Sequence, residues 1–386
     1  MSHALLSPLW ERIRQRGMSD AGPPQGANSP LGGQRSTRSD KRGGPITTLS
    51  VMGMTKNTGK TVCLNHLLTQ ADACDAAVGI TSIGRDGEER DQVFSIPQPP
   101  VKVWPGCLVA TARDTLLRAK IRWKQIGGTG IDSPMGEILI IKALDHGDME
   151  IAGASRSHDQ HKVIALLKQC GATLVILDGA LGRSHHASPA IADGIVLSTG
   201  AAIGGGIQDV IRKTRDRLAI LGIAEVSAAL GAQVQPLFQQ GGVAVWNAQG
   251  ELLFDARMAT LNAAVTLLDL PVSDMATIAV SGAVGRSLWQ ALTTLLGRHP
   301  GLTLVVADGT KLFVDATDVS IFTKSGGRLL ALRGIQIAGI TLNPFSPFGG
   351  SFDAEEFLAA ARHAFPEHVV TDVMLETQST LEGTLP

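Results

Sequence analysis

Nine consecutive residues, Gly53-Met54-Thr55-Lys56-Asn57-Thr58-Gly59-Lys60-Thr61, constrain this chain more than any other stretch. An apolar, β-prone run (Ile46 to Met52) leads into them, and an apolar run able to form a helix (Val62 to Leu68) follows. Strand, Gly-containing bend, Gly-Lys-Thr and helix, in that order, describe a bend that grips phosphate. Turn amides and the first amides of the helix point N–H groups at concentrated negative charge. Gly59 has no Cβ and lets the backbone come close. Lys60 reaches the β- and γ-phosphates, and the Thr61 hydroxyl completes a Mg²⁺ shell. The expected ligand is therefore a nucleoside triphosphate, ATP or GTP, with Mg²⁺. The stretch Gly53, Thr55, Lys56, Asn57, Thr58, Gly59, Lys60 and Thr61 is assigned to it. One departure is visible: five residues separate Gly53 from Gly59, where the usual pattern has four, and Met54 stands where the first Gly belongs.

Downstream, strands and helices alternate. Ala76 to Ile83 reads as a strand ending in Gly84-Arg85-Asp86-Gly87-Glu88. Val101 to Val103 and Leu108 to Ala110 read as short extended pieces. Thr111 to Gln125 reads as an amphipathic helix with Leu116, Leu117 and Trp123 inward. Glu137 to Ile141 and Met149 to Ala152 read as strands paired across His146-Gly147-Asp148. His158 to Gln169 and Ile207 to Leu221 read as helices. Leu174 to Leu177 and Gly194 to Leu197 read as fully buried parallel strands. The sum is an α/β chain: a doubly wound, mostly parallel sheet of the phosphate-loop NTPase type, with ligand groups at the strand C-termini. A second, smaller α/β region follows. Its signals are a hairpin across Asn247-Ala248-Gln249-Gly250 and strands at Thr277 to Val280, Thr303 to Val306 and Gln336 to Thr341. The expected divisions are residues 1–45, a basic tail without order; 46–235, the nucleotide-binding domain; and 236–386, a C-terminal α/β domain. Within the tail, Leu5 to Arg16 has the pattern of a short basic amphipathic helix.

The 386 residues carry a net charge of −1, so no broad basic footprint for nucleic acid exists. No apolar run is long enough to span a bilayer. The cysteines Cys63, Cys74, Cys107 and Cys170 lack zinc spacing and read as reduced, mostly buried thiols of a cytoplasmic protein.

Asp178 ends an apolar strand downstream of the bend, where a carboxylate holds Mg²⁺; the alternative is a cap on the turn at Gly179. Asp86 and Glu88 are either metal ligands or members of a solvated acidic loop. Arg85 and Arg183 are either neutralisers of transition-state charge or local partners of these acids. Thr199 and Gly200 end a strand and reach toward base or phosphate. Glu137 either faces the site or begins a strand. His185 and His186 are adjacent and read as an exposed loop. Asp308 and Lys311 are either ligand-binding groups or a surface ion pair, and Asn343 beside Pro344 marks a turn.

Two resemblances add to this. The long spacing of the bend resembles the dethiobiotin synthetase and cobyrinate amidotransferase branch of P-loop proteins, and Lys56 to Thr61 is similar to cyclic diphosphoglycerate synthetase. Related branches bring a second loop lysine to phosphate, often across a dimer. Lys56 is the candidate here, at an offset unlike the common signature, and a homodimer is the implied assembly. In the dethiobiotin synthetase branch a carboxylate near Asp86 joins the metal site. The second resemblance rests on Gly53–Thr61, Thr81 to Glu88, Pro134 to Glu137, Ile151-Ala152-Gly153, Asp178 to Leu181 with Ser188-Pro189, Leu197 to Ala201 and Asn343 to Pro347. These resemble a P-loop family described as the reactivase of lysine 5,6-aminomutase. That likeness covers residue 46 to the C-terminus. It implies a Mg²⁺-dependent nucleoside triphosphatase that exchanges damaged cofactor on a cobalamin-dependent aminomutase. Lys60, Lys56 and Asp178 would serve catalysis, and Thr61, Asp178 and Asp86 the metal. The other expectation is an ATP-dependent ligase that activates a small carboxylic acid.

Overall fold

The apolar run before the bend is β1 (Thr48–Gly53), buried along its whole length. In the computed structural model the structure describes residues 6–17, 45–83, 100–179 and 191–382. Ahead of β1 lies α1 (Pro8–Gly17), and after the bend α2 (Lys60–Ala73) leads to β2 (Val78–Ser82). Then come β3 (Val101–Val103), β4 (Leu108–Ala112), α3 (Arg113–Leu117), β5 (Trp123–Ser133), β6 (Gly136–Ala143) and β7 (Gly147–Met149). Next are α4 (Ser157–Gln169), β8 (Leu174–Asp178), β9 (Gly194–Gly200), α5 (Ile207–Leu221) and α6 (Ala228–Gln240). The chain continues through β10 (Val243–Asn247), β11 (Leu252–Ala256), α7 (Ala263–Leu268), β12 (Met275–Val280), α8 (Arg286–Arg298), β13 (Thr303–Val306), α9 (Ala316–Lys324) and β14 (Arg328–Ala331). It closes with β15 (Gln336–Asn343), α10 (Ala354–Ala364), β16 (Val370–Thr371) and α11 (Val373–Glu382).

The protein is an α/β protein with a large, mostly parallel nine-stranded sheet and a smaller mixed five-stranded sheet. The large sheet runs β16-β15-β9-β1-β8-β2-β4-β6-β5. It is parallel from β16 to β4, and β6 and β5 continue it antiparallel. Successive strand residues face opposite sides, and helices cover both. Leu49, Val51, Ile80, Ile176 and Val196 pack with Leu9 and Trp10 of α1 and Leu64 and Leu67 of α2. On the other side Ile195 and Leu197 meet Val210 of α5 and Phe357 of α10, while Val175 and Leu177 meet Val163 and Leu167 of α4. The small sheet runs β11-β10-β12-β13-β14. Its core holds Trp289 against Phe322, with ring centroids 5.2 Å apart.

The expected divisions need correction at both ends. Residues 1–45 are not wholly a solvated tail, because α1 is part of the first core. Leu9, Trp10 and Ile13 are buried at 0%, 1% and 2% exposure. Ser7 caps the helix through a bond from the Trp10 amide and donates its own amide to Gln70 of α2. Nor does 236–386 form one unit. The small sheet uses 243–331, and the chain then returns to the large sheet, where β15 adds to the open edge of β9 with Ile340 opposite Leu197. An apolar strand pattern does not encode which edge it joins; β9 offers unpaired backbone groups that β15 satisfies.

Two local expectations also change. The helix read over 111–125 stops at Leu117, which is exposed, and Trp123 opens β5 instead. Pairing of β5 with β6 overrides the local helical pattern there. The strands at 137–141 and 149–152 do not pair with each other; β6 lies between β4 and β5, and β7 pairs with β3. Of the cysteines, Cys63 and Cys107 are buried, Cys74 is intermediate and Cys170 is exposed, all as free thiols. Among the described residues no helix is long and apolar enough to cross a membrane.

Helix α11 docks on α2 through buried polar groups. His66 Nε2 lies 3.7 Å from Glu376 Oε2, beside buried Asp372. Burial raises the pKa of Asp372 and Glu376 and lowers that of His66. The carboxyls, raised in the fold, favour the native state at acid pH, and that contribution is lost as pH rises through their raised values. His66, lowered in the fold, contributes above its ordinary 6.5 and loses that contribution as pH falls through its lowered value. Glu376→Gln is therefore expected to melt about 2 °C above the parent at neutral pH. The gap should close in acid, as melting curves across pH will check.

Candidate functional site

Four parallel strands end side by side at the bend. Met54 still belongs to β1 in hydrogen bonding, since its amide donates to Ser198 O on β9 at 2.8 Å. The bend proper therefore starts after it, which accounts for the long spacing from Gly53. Thr58 is buried, and its hydroxyl donates to Thr55 O at 2.9 Å, tying the bend to itself. Thr55 and Lys56 are exposed at the crest. Asn57 and Gly59 have φ of +63° and +84°, the left-handed region that Gly and Asn enter most readily. Gly59 is the N-cap of α2 and supplies no side-chain cap. The first amides of α2, including those of Lys60 and Thr61, thus open toward the bend with the positive end of the helix behind them.

The Lys60 ammonium bonds Asp178 Oδ1 on β8 and donates to Gly179 O at 2.7 Å. The two side chains are 14% and 19% exposed. Asp178 is held in place by its neighbours: its carbonyl accepts from the Ile83 amide at 3.0 Å, and the Gly179 amide donates to Val51 O at 3.1 Å. A Cβ on Gly179 would lie 2.7 Å from Val51 O, so only glycine allows this approach of β8 to β1. Lys60 and Thr61 thus share one edge with Asp178, which lies 118 positions from Lys60 in sequence.

Asn343 is the residue that sequence reading underrated. Beyond marking a turn, its Nδ2 donates to Asn57 O at 2.8 Å and its Oδ1 accepts from the Phe345 amide at 3.2 Å. A side chain at the end of β15 therefore holds the bend. An Asn closing an apolar strand was the available signal, and it becomes informative only once β15 is known to lie next to β9. Beneath the bend, burial pushes the Cys63 thiol up to about 12, opposed by the Thr341 and Ser198 hydroxyls.

Other candidates go elsewhere. The Thr199 hydroxyl is buried against the Thr214 hydroxyl of α5 at 2.7 Å and is engaged there. Gly200 packs against Asn343. Glu137 lies on β6, four strand spacings from β1, roughly 19 Å. There it accepts from the Gly130 amide and sits 3.7 Å from Arg113. Asp308 is buried in the small sheet's region and caps the Gly309–Lys311 turn through the Thr310 amide at 2.8 Å, so it is no surface ion pair. Its charge also offsets the burial that lowers the Arg217 pKa. Arg85, Asp86, Glu88, Arg183, His185 and His186 lie outside the described residues.

The residues present fit a magnesium nucleotide. Thr61 and Asp178 offer hard oxygen donors, which Mg²⁺ takes. Lys60 and the α2 amides offer donors to phosphate oxygens. Among the described residues no group of three or more His, Cys, Asp or Glu could hold a metal ion; Mg²⁺ commonly binds through one or two protein groups plus phosphate. No family model, no curated protein and no solved structure matches the chain.

Proposed function

We propose that this chain is an ATP-binding P-loop NTPase working with Mg²⁺, with GTP as the other candidate nucleotide. Its role in this reading is that of a switch or reactivating chaperone for a cobalamin-dependent aminomutase. One observation carries the nucleotide part: a Gly-Lys-Thr lysine at the uncapped start of α2 bonds the carboxylate that ends β8, the strand beside β1. Lys60 exchanges its bond with Asp178 for phosphate oxygens, and the released carboxylate becomes available, with Thr61, to Mg²⁺. When bound, Mg²⁺ draws charge from the transferring phosphoryl group. Water is the acceptor. That exchange is a local electrostatic event of the kind that drives nucleotide switches, and the partner rests on the family resemblance.

The test is calorimetry with Mg-ATP and Mg-GTP, followed by hydrolysis assays with and without an aminomutase. Saturable heat and partner-stimulated turnover are expected. No heat with either nucleotide would end the reading. A second reading, an ATP-dependent ligase that activates a small carboxylic acid, is favoured by a polar cavity on the same sheet edge, beside the start of α4. It requires turnover to depend on a small acid and not on any protein.

Asn343→Ala removes the tether on Asn57 O. One lost hydrogen bond costs about 1 kcal/mol, so nucleotide Kd is expected to rise about fivefold, with Tm nearly unchanged. Equal affinity for parent and variant, measured by titration, would show that the tether has no part in binding.

A further inference from the structure

The geometry points to a second ligand site, for an amino-acid zwitterion, in the cavity between α4 and the β5–β6 hairpin. The cavity measures about 530 Å³. Its two walls carry opposite charge. The hairpin wall presents Asp132; the helix wall presents Arg156, His158, Asp159 and Lys162, with Ser155 leading in. Among the described residues no ion pair joins these groups to one another or to anything else. Lys162 nonetheless reaches across: its Nζ is 3.8 Å from where a Cβ on Gly130 would stand. Oppositely charged walls that face each other without pairing suit a small molecule that carries both charges.

A ligand carboxylate would lie against Lys162 and Arg156, with the amides opening α4 behind them, since Arg156 provides no side-chain cap. A ligand ammonium would lie against Asp132. Gln160, which does not line the cavity, is fully buried and donates to Ser82 O at 2.6 Å and Ala154 O at 2.7 Å, fixing the start of α4 against β2.

The placement connects this cavity to the phosphate bend. Helix α4 precedes the parallel strand β8, so it starts at the edge where β1, β2 and β8 end. Ser82, which binds Gln160, is the register partner of Asp178. A zwitterion against Asp132 would lie on the same sheet edge as Asp178 but on β5, four strand spacings from β8 or roughly 19 Å, a place for an effector rather than an acceptor. That coupling rests on the nucleotide reading; binding in the cavity does not.

The test titrates the full chain, without nucleotide, with each standard L-amino acid in turn. Acetate and methylammonium serve as single-charge controls. At least one amino acid is expected to bind saturably, about tenfold or more tighter than either control. Asp132→Asn and Lys162→Gln should each weaken it about tenfold, while Mg-ATP binding and the melting temperature stay at parental values. Amino acids that give no heat, or a control that binds equally well, would overturn the proposal. So would variants that bind as the parent does. Mg-ATP titrated in parallel reports on the bend alone, so the two readings fail separately.

Discussion

Lys60→Ala is expected to abolish tight nucleotide binding and lower any turnover by about 100-fold or more. Two effects act together. The ammonium that would meet the phosphates is gone, and Asp178, only 19% exposed, loses its charge partner. A charge-assisted bond is roughly twice as strong as a neutral one, and this lysine makes one to the carboxylate and another to a carbonyl. Circular dichroism and melting curves must accompany the titration, since the unpaired carboxylate also costs stability. Asp178→Asn separates the effects: it relieves the partly buried charge and leaves Lys60 for phosphate, so it should preserve nucleotide binding and remove Mg²⁺-dependent turnover. A folded Lys60→Ala variant that binds and hydrolyses like the parent would remove the site assignment.

Trp10→Ala should destabilise the protein by about 3–5 kcal/mol, the usual cost of emptying a buried aromatic site. Trp10 is 1% exposed, between the large sheet and α2, within a segment whose flanking residues read as solvated tail. Trp10→Phe should be far milder. The buried indole Nε1 has no hydrogen-bond partner among the described residues. Such a donor costs about 1–3 kcal/mol, and phenylalanine lacks it while filling most of the volume. Urea denaturation of the three proteins, compared by transition midpoint, decides the matter. If Trp10→Ala unfolds with the parent, α1 is not docked and the chain's first core begins at β1.

The start of the large sheet was legible because its signals are local. Ile46 to Met52, the bend and Val62 to Leu68 lie within one short stretch, and each is read from backbone preference and apolar patterning. Asp178 was legible for a related reason: a short apolar run ending in Asp-Gly is a buried strand reaching a loop. Asn343 was half legible, as a strand end, while its bond to Asn57 spans 286 positions and leaves no local trace. Helix α1 had the right pattern, with Leu9, Trp10 and Ile13 on one side, yet the Gly, Pro, Ser and Arg composition after it outweighed that pattern in the reading. The stretch after Thr111 misled because strand pairing with β6, which the chain meets only later, decided its conformation.

From the amino acids alone came the α/β alternation, the Gly53–Thr61 bend between strand and helix, and the strand that ends at Asp178. These follow from steric limits on φ and from the need to bury apolar runs. Tertiary structure alone decided that β15 joins β9 and brings Asn343 to the bend, that α1 closes the first core, and that Asp308 caps a buried turn. Strand edges and helix faces are generic surfaces; only packing in three dimensions selects which of them meet.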